Sequence, residues 1–141
     1  MRSMTFSFLL FLASLAAASE DIGCPRGTVQ NGVQMPGVTE AWCELKTDRS
    51  QFHGPYRSWY GNGVLGTKEN YKHGKRDGKA EYHWGNGKLQ ASGQYRNSVR
   101  DGDWIFSEVD GSGPIHVRYR RGKLVSGHEP GWVTERNASS E

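Results

Sequence analysis

The chain has 141 residues, 35% of them hydrophobic and 23% charged, and 18 Lys and Arg against 15 Asp and Glu leave a formal charge of +3. That length supports one small domain once any leader is removed. The basic excess is too slight, and no recognised module is present, for nucleic-acid binding to be expected.

Residues 1–18 are expected to be a cleaved secretory signal. Arg2 precedes an apolar run from Phe6 through Leu15, and Ala16, Ala17 and Ala18 offer small residues for cleavage after Ala18. The run is shorter than the roughly 20 apolar residues a membrane-spanning helix needs, so no transmembrane segment is expected, and the protein should be secreted or periplasmic. A lipoprotein signal fits less well, because Cys24 lies away from the apolar run and has no aliphatic residue three positions before it. Without the leader the charge falls to +2, since Arg2 is its one basic residue and it has no acidic one.

Residues 19–53 are read as an N-terminal cap. Cys24 and Cys43 are the two cysteines of the chain. In an oxidising compartment such a pair favours one structural disulfide over a metal or redox site, for which neither a C-x-x-C spacing nor a nearby cluster of ligands exists. Residues 42–45 are predicted as one strand that lays Trp42 and Leu45 over the first hairpin.

Residues 54–125 hold one 24-residue unit three times, as 54–77, 78–101 and 102–125, opened by Gly54, Gly78 and Gly102. Nine residues after each opening glycine stands Gly63, Gly87 or Gly111, and seventeen after it stands Tyr71, Tyr95 or Tyr119. Glycines and aromatics in phase at such a period mark a repeat architecture. Inner turn signals are Asn62-Gly63, Asn86-Gly87 and Asp110-Gly111, each suited to a two-residue turn with both residues at positive φ. Outer signals are Asp77-Gly78 and Asp101-Gly102, at the joints. The runs between them are of strand length, so each copy is a β-hairpin and the whole an all-β antiparallel meander of about six to eight strands behind a disulfide-tied cap.

Alternation assigns Tyr56, Tyr60, Leu65, Tyr71, Ala80, Tyr82, Trp84, Leu89, Ala91, Tyr95, Trp104, Phe106, Ile115, Val117 and Tyr119 to one face. The other receives Trp59, Lys68, Asn70, Lys72, His83, Gln90, Ser92, Gln94, Arg96, His116, Arg118 and Arg120, and Glu69 and Glu108 fall among the apolar residues. In the third copy Gly113-Pro114 places the hairpin near the end of the sheet, where proline is tolerated. Residues 126–141 form a tail, polar from Thr134 on and expected to be disordered, in which Asn137 starts a glycosylation sequon.

Gly54, Tyr56, Trp59, Tyr60, Asn62, Gly63, Leu65, Tyr71, Gly74 and Gly78 in the first copy, and Gly78, Trp84, Asn86, Gly87, Leu89, Gly93, Tyr95 and Gly102 in the second, resemble MORN-like repeats of the variant bacterial type. The third copy keeps Gly102, Trp104, Asp110, Gly111, Tyr119 and Gly122. The resemblance covers about half the chain. It implies single-layer hairpin stacks without enzymatic activity, serving protein–protein contact or scaffolding. Some relatives are appended to enzymes and some resemble antitoxin or immunity partners.

No catalytic or metal-binding constellation stands out. His53, His73, His83, His116 and His128 lack ligand spacing; Asp77 and Asp101 suit turns; Ser58, Ser92 and Ser98 have no partnering motif; Gly61-x-Gly63 and Gly85-x-Gly87 precede no helix, so they cradle no phosphate. No cofactor is expected. The candidate binding surface is a basic stripe, Lys68, Lys72, Arg96, Arg118 and Arg120, with Trp59 as its exposed aromatic. The expected partner is another protein, and the alternative is an anionic cell-wall glycan held by aromatics and the stripe.

Overall fold

The computed structural model describes residues 20–133. The expected leader, the polar tail from Thr134 and the sequon at Asn137 lie outside the described residues.

Eleven strands follow in chain order: β1 (Thr28–Met35), β2 (Val38–Leu45), β3 (Phe52–Tyr60), β4 (Leu65–Lys72), β5 (Lys75–Arg76), β6 (Gly78–His83), β7 (Leu89–Arg96), β8 (Val99–Arg100), β9 (Gly102–Phe106), β10 (Ile115–Arg120) and β11 (Lys123–Ser126). They form one antiparallel sheet in the order β1-β2-β3-β4-β6-β7-β9-β10-β11, with β5 paired to β4 and β8 to β7. The meander is the expected one, with more strands. The supposed cap contributes a full hairpin, β1–β2, joined to β3 in the sheet. Its turn, Met35-Pro36-Gly37-Val38, has proline where φ is negative and Gly37 at φ +86°, as a type II turn requires. Trp42 therefore lies beside the first repeat, stacked on Phe52 at 5.6 Å, and does not cover it.

The reversals sit elsewhere than the dipeptides suggest. The chain turns between copies at His73-Gly74, Asn97-Ser98 and Arg121-Gly122, where both residues have positive φ, between 49° and 80°. That is the two-residue geometry matched to strand twist. At Asp77-Gly78 and Asp101-Gly102 the strand bends without reversing: β5 and β6 pair with the same β4, β8 pairs with β7, and β7 in turn pairs with β9. Asp77 accepts from the Asn97 N–H (3.3 Å) and Asp101 from the Arg121 N–H (3.1 Å), so each aspartate ties down the next copy's turn.

The inner turns are three-residue loops. In the first, the Gly63 N–H reaches the Tyr60 carbonyl (2.8 Å) and the Tyr60 N–H the Val64 carbonyl (2.9 Å), with Gly63, and not Asn62, at positive φ. The Asn62 side chain accepts from the Val64 N–H (3.1 Å) and donates to the Gly85 carbonyl of the next loop (2.8 Å). Asn86 repeats both bonds, to Lys88 (3.0 Å) and Val109 (2.8 Å). Asp110 accepts from the Ser112 N–H (2.7 Å). A carboxylate has no hydrogen to pass on, and aspartate stands in the last loop of the ladder.

Bulges correct the assignment of faces. Ser58 pairs with Thr67 but Trp59 with Leu65, and Tyr82 pairs with Ala91 but His83 with Leu89. Directly paired residues share a face, so the extra residues Gly66 and Gln90 move Leu65 and Leu89 to the side of Trp59 and His83. Gln90 in turn lines the aromatic groove and is 7% exposed. Simple alternation fails wherever two residues oppose one.

The core lies on the aromatic face around Trp104, with Ala80, Ala91, Tyr95, Phe106, Val117, Tyr119 and Val133. The segment after β11 covers it. Trp132 sets its ring against Trp84 (5.2 Å) and Phe106 (5.8 Å), and Pro130 and Val133 are buried. At the other end, Cys24 and Cys43 form a disulfide across a separation of 19 residues, with Cys43 fully buried. Closing a loop of that size stabilises by about 3 kcal/mol in the chain-entropy model. Cys24→Ala with Cys43→Ala should lower the free energy of unfolding by that amount, and thiol labelling of the unreduced protein should find no reactive cysteine. Unchanged stability of the double variant would show that the bond constrains nothing.

Candidate functional site

The outer turns gather charge on one end of the sheet. Lys72, Arg96 and Arg120, each the residue before a turn, recur in every copy, and the turns add Lys75, Arg121 and Lys123; all six are exposed. Hydrogen bonds stack the turns in line: the Gly74 N–H on the Phe52 carbonyl (2.8 Å), the Ser98 N–H on the Arg76 carbonyl (2.8 Å), the Gly122 N–H on the Arg100 carbonyl (2.9 Å). Each repeat adds two strands, so successive turns stand about 10 Å apart. Within residues 72–77, 96–101 and 120–123 that form these turns and joints, Asp77 and Asp101 are set against the six exposed cations, a difference of four positive charges among these side chains. Between the second and third turns Arg96, Arg120 and Arg121 line a shallow cleft of about 690 Å³.

The predicted basic stripe is thereby divided. Lys72, Arg96 and Arg120 belong to the ridge, where Arg96 approaches Asp101 at 3.6 Å with its side chain 73% exposed. Lys68 and Arg118 lie mid-sheet and are neutralised, Lys68 by Glu81 at 3.4 Å and Arg118 by a two-pronged pair with Asp103 at 2.6 and 2.9 Å. The hydrogen-bonded Arg118 holds the Asp103 carboxyl below the usual carboxylate range. Lys75, Arg121 and Lys123 fall outside the stripe that alternation predicts, because the chain reverses four residues ahead of the Asp-Gly dipeptides.

Trp59 does not serve as an exposed aromatic. It faces the side of Arg57 and Lys68 as alternation requires, but it is 8% exposed, set with residues 20–22, Arg57 and Leu65 around a small cleft. The segment ahead of Cys24 is held there by Gln30, whose side chain accepts from the Ile22 N–H (3.1 Å) and donates to the Glu20 carbonyl (2.6 Å).

The aromatic face carries a second polar pattern. Buried Glu69 accepts from Tyr71 (2.9 Å), from Tyr82 and from Arg76 (3.5 Å), while Arg76 lies over the Tyr95 ring at 4.3 Å. One repeat on, Arg100 lies over Tyr119 at 5.3 Å and pairs with Glu129 at 3.1 Å, and Tyr119 donates to the same carboxylate. Arg76 and Arg100 stand before Asp-Gly at both joints, a recurrence visible in the sequence. Arg76, Tyr82 and Tyr95 of the first group and Arg100, Tyr119 and Glu129 of the second border a groove of about 570 Å³ that also includes Ser98, Leu124 and Trp132. Their carboxylates, phenols and guanidinium groups satisfy one another, which makes them part of the packing.

Among the described residues no three His, Cys, Asp or Glu lie together as a metal site, and no helix is long and apolar enough to cross a membrane. Fold and ridge together define a class: a single-sheet stack of β-hairpins, tied by one disulfide, with its excess charge on one row of turns. The chain matches no family model and no curated protein in sequence.

Proposed function

We propose that the protein is an exported, non-enzymatic binding module of the MORN-like repeat kind, whose ridge of outer turns docks on an acidic surface of another protein. The observation that carries this is the segregation of charge: six exposed cations on three turns that stand about 10 Å apart on one end, with Lys68 and Arg118 of the mid-sheet already paired. Such a row steers an oppositely charged partner and fixes its register more than it adds raw affinity. Export rests on the apolar leader of the sequence together with the disulfide. The glycan alternative needs aromatic platforms, and the burial of Trp59 takes away its leading one.

The test is an affinity capture from the exported fraction, run with the wild type and with Lys72→Glu, Arg96→Glu and Arg120→Glu combined. An acidic protein should be recovered by the wild type and lost from the variant. Its retention should weaken steeply as salt shortens the screening length from about 10 Å toward 3 Å. Equal recovery by both proteins would refute the ridge, and recovery of wall polysaccharide alone would install the glycan reading in its place.

A further inference from the structure

The three outer turns are built alike except for the group that ties them down. Each begins on a residue at positive φ: His73 at 49°, Asn97 at 50° and Arg121 at 50°. The N–H of that residue reaches the side chain twenty positions earlier, which stands just before the opening glycine of the same copy. Asp77 and Asp101 supply a carboxylate oxygen there. In the first copy the place belongs to His53, whose Nδ1 accepts from the His73 N–H at 3.3 Å. Gly54, Gly78 and Gly102 all have positive φ, so the joints share their backbone conformation and differ in the acceptor.

A carboxylate stays ionised, and accepts, down to about pH 4. A neutral imidazole accepts on one nitrogen, whereas a protonated one donates from both. His53 therefore carries its proton on Nε2 while it holds the turn, and a second proton on Nδ1 ends the bond. The surroundings add cations. The register that pairs Gly54 with Tyr71 puts Lys72 across from His53, Lys72 pairs with Lys75, and the His73 ring stands edge-on at 4.7 Å. On β2, Glu44 is bonded to Trp42 and Arg49, and ahead of β3, Asp48 is bonded to Ser50 and Gln51. In the segment that packs through Pro25 beside Gly54, Asp21 accepts from the Gly23 N–H and Arg26 adds a further cation.

We infer that the first outer turn is a proton-controlled member of the ridge: His53 ties it down at neutral pH, and mild acid releases it while the second and third turns stay tied. Histidine is the side chain whose charge changes between pH 5 and 8, and the two aspartates do not follow it there. Protonation of His53 and His73 also adds two positive charges beside Lys72 and Lys75. This last step rests on the reading of the ridge as the docking surface: mild acid then strengthens its hold on an acidic partner.

Amide hydrogen exchange followed by NMR at pH 7.5 and pH 5.5 tests the release. Relative to its intrinsic rate, the His73 amide should exchange about two- to tenfold faster at the lower pH, the worth of one hydrogen bond. The Asn97 and Arg121 amides should keep their protection. His53→Asp, which gives the first joint the residue of the other two, should abolish the change, and His73→Asn, the residue of the second turn, should leave it. Equal protection of the His73 amide at both pH values, or loosening of all three turns together, would overturn the proposal, as would persistence of the change in His53→Asp. Should that variant fold poorly, the wild type decides: the imidazole signals of His53 must titrate with the same midpoint as the His73 protection, and separate midpoints would refute the coupling. Poly-L-glutamate, still ionised at pH 6, probes the consequence. The wild type should bind it more tightly at pH 6 than at pH 7.5, and His53→Asp with His73→Asn should lose most of that gain. A gain kept in full by the variant would overturn the assignment to this pair, whereas no binding at either pH would count against the ridge and leave the exchange result standing.

Discussion

Gly93→Ala should destabilise the protein by about 3 kcal/mol, the upper end of what overpacking costs, and lower its melting temperature by roughly 10 °C. Gly93 needs no special φ; it needs space. A Cβ at this position would stand 2.2 Å from Cδ2 of Trp104, and Trp104 cannot yield. Its ring is 1% exposed, donates from Nε1 to the Gln94 carbonyl at 3.1 Å, stacks on Phe106 at 5.9 Å and meets the edge of Tyr95 at 5.1 Å. The matched control is Gly85→Ala, where a Cβ has nothing within 4 Å. It should melt within about 0.5 kcal/mol of the wild type, as surface substitutions do. A Gly93→Ala protein that melts with the control would show that the core around Trp104 is loosely held.

The same position explains how three imperfect copies share one face. Fifteen residues after the opening glycine stand Glu69, Gly93 and Val117. In the first copy Glu69 reaches the tyrosines and Arg76. In the second the small pair Ala80 and Gly93, opposite each other in β6 and β7, leaves room for Trp104 from β9. That copy supplies no carboxylate of its own for Arg100, and Glu129, from the segment that folds back after β11, takes the role.

Much of this was legible beforehand. The 24-residue period, the strand lengths, the aromatic face and the Cys24–Cys43 bond follow from residue spacing and redox context. The bulges were hidden, because one extra residue reverses a face without leaving a sign in the alternation of Leu65 and Leu89. The β1–β2 hairpin was hidden by its polar strand, Thr28–Met35, although Pro36-Gly37 is a turn signal. Tertiary cover was also out of reach. Trp59 sits on the predicted face, but what buries it is a segment about 38 residues earlier in the chain. Half of the ridge is legible in the sequence: alternation picks out Lys72, Arg96 and Arg120, whereas their company of Lys75, Arg121 and Lys123 depends on where the chain reverses.

The tyrosines make the fold sensitive to alkali. Burial, with Glu40 and Glu69 nearby, pushes the Tyr56 phenol from 10.0 up to about 12. Burial and the bond to Glu129 push Tyr119 up to about 12 as well. Tyr71 rises for burial and the charge of Glu69, and Tyr82 for burial, Tyr95 and Glu69. A phenol that keeps its proton longer when folded contributes stability in full below its unfolded pKa, and that contribution is lost as the pH rises through the folded value. The unfolded chain ionises near 10.0, so stability should be level below pH 10 and fall between pH 10 and about 12. Four of the six tyrosines act together in this window, so the expected outcome is cooperative unfolding, with phenolate absorbance and loss of circular dichroism rising at one midpoint. Glu69→Gln keeps an acceptor for the hydroxyls but removes the charge that raises Tyr56, Tyr71 and Tyr82. Its absorbance should begin to rise nearer pH 10, and it should be less stable at neutral pH, where Arg76 has lost its carboxylate. Phenols that titrate one by one at their ordinary value in an intact fold would show that the aromatic face is open to water and that the segment ending in Trp132 and Val133 does not seal it.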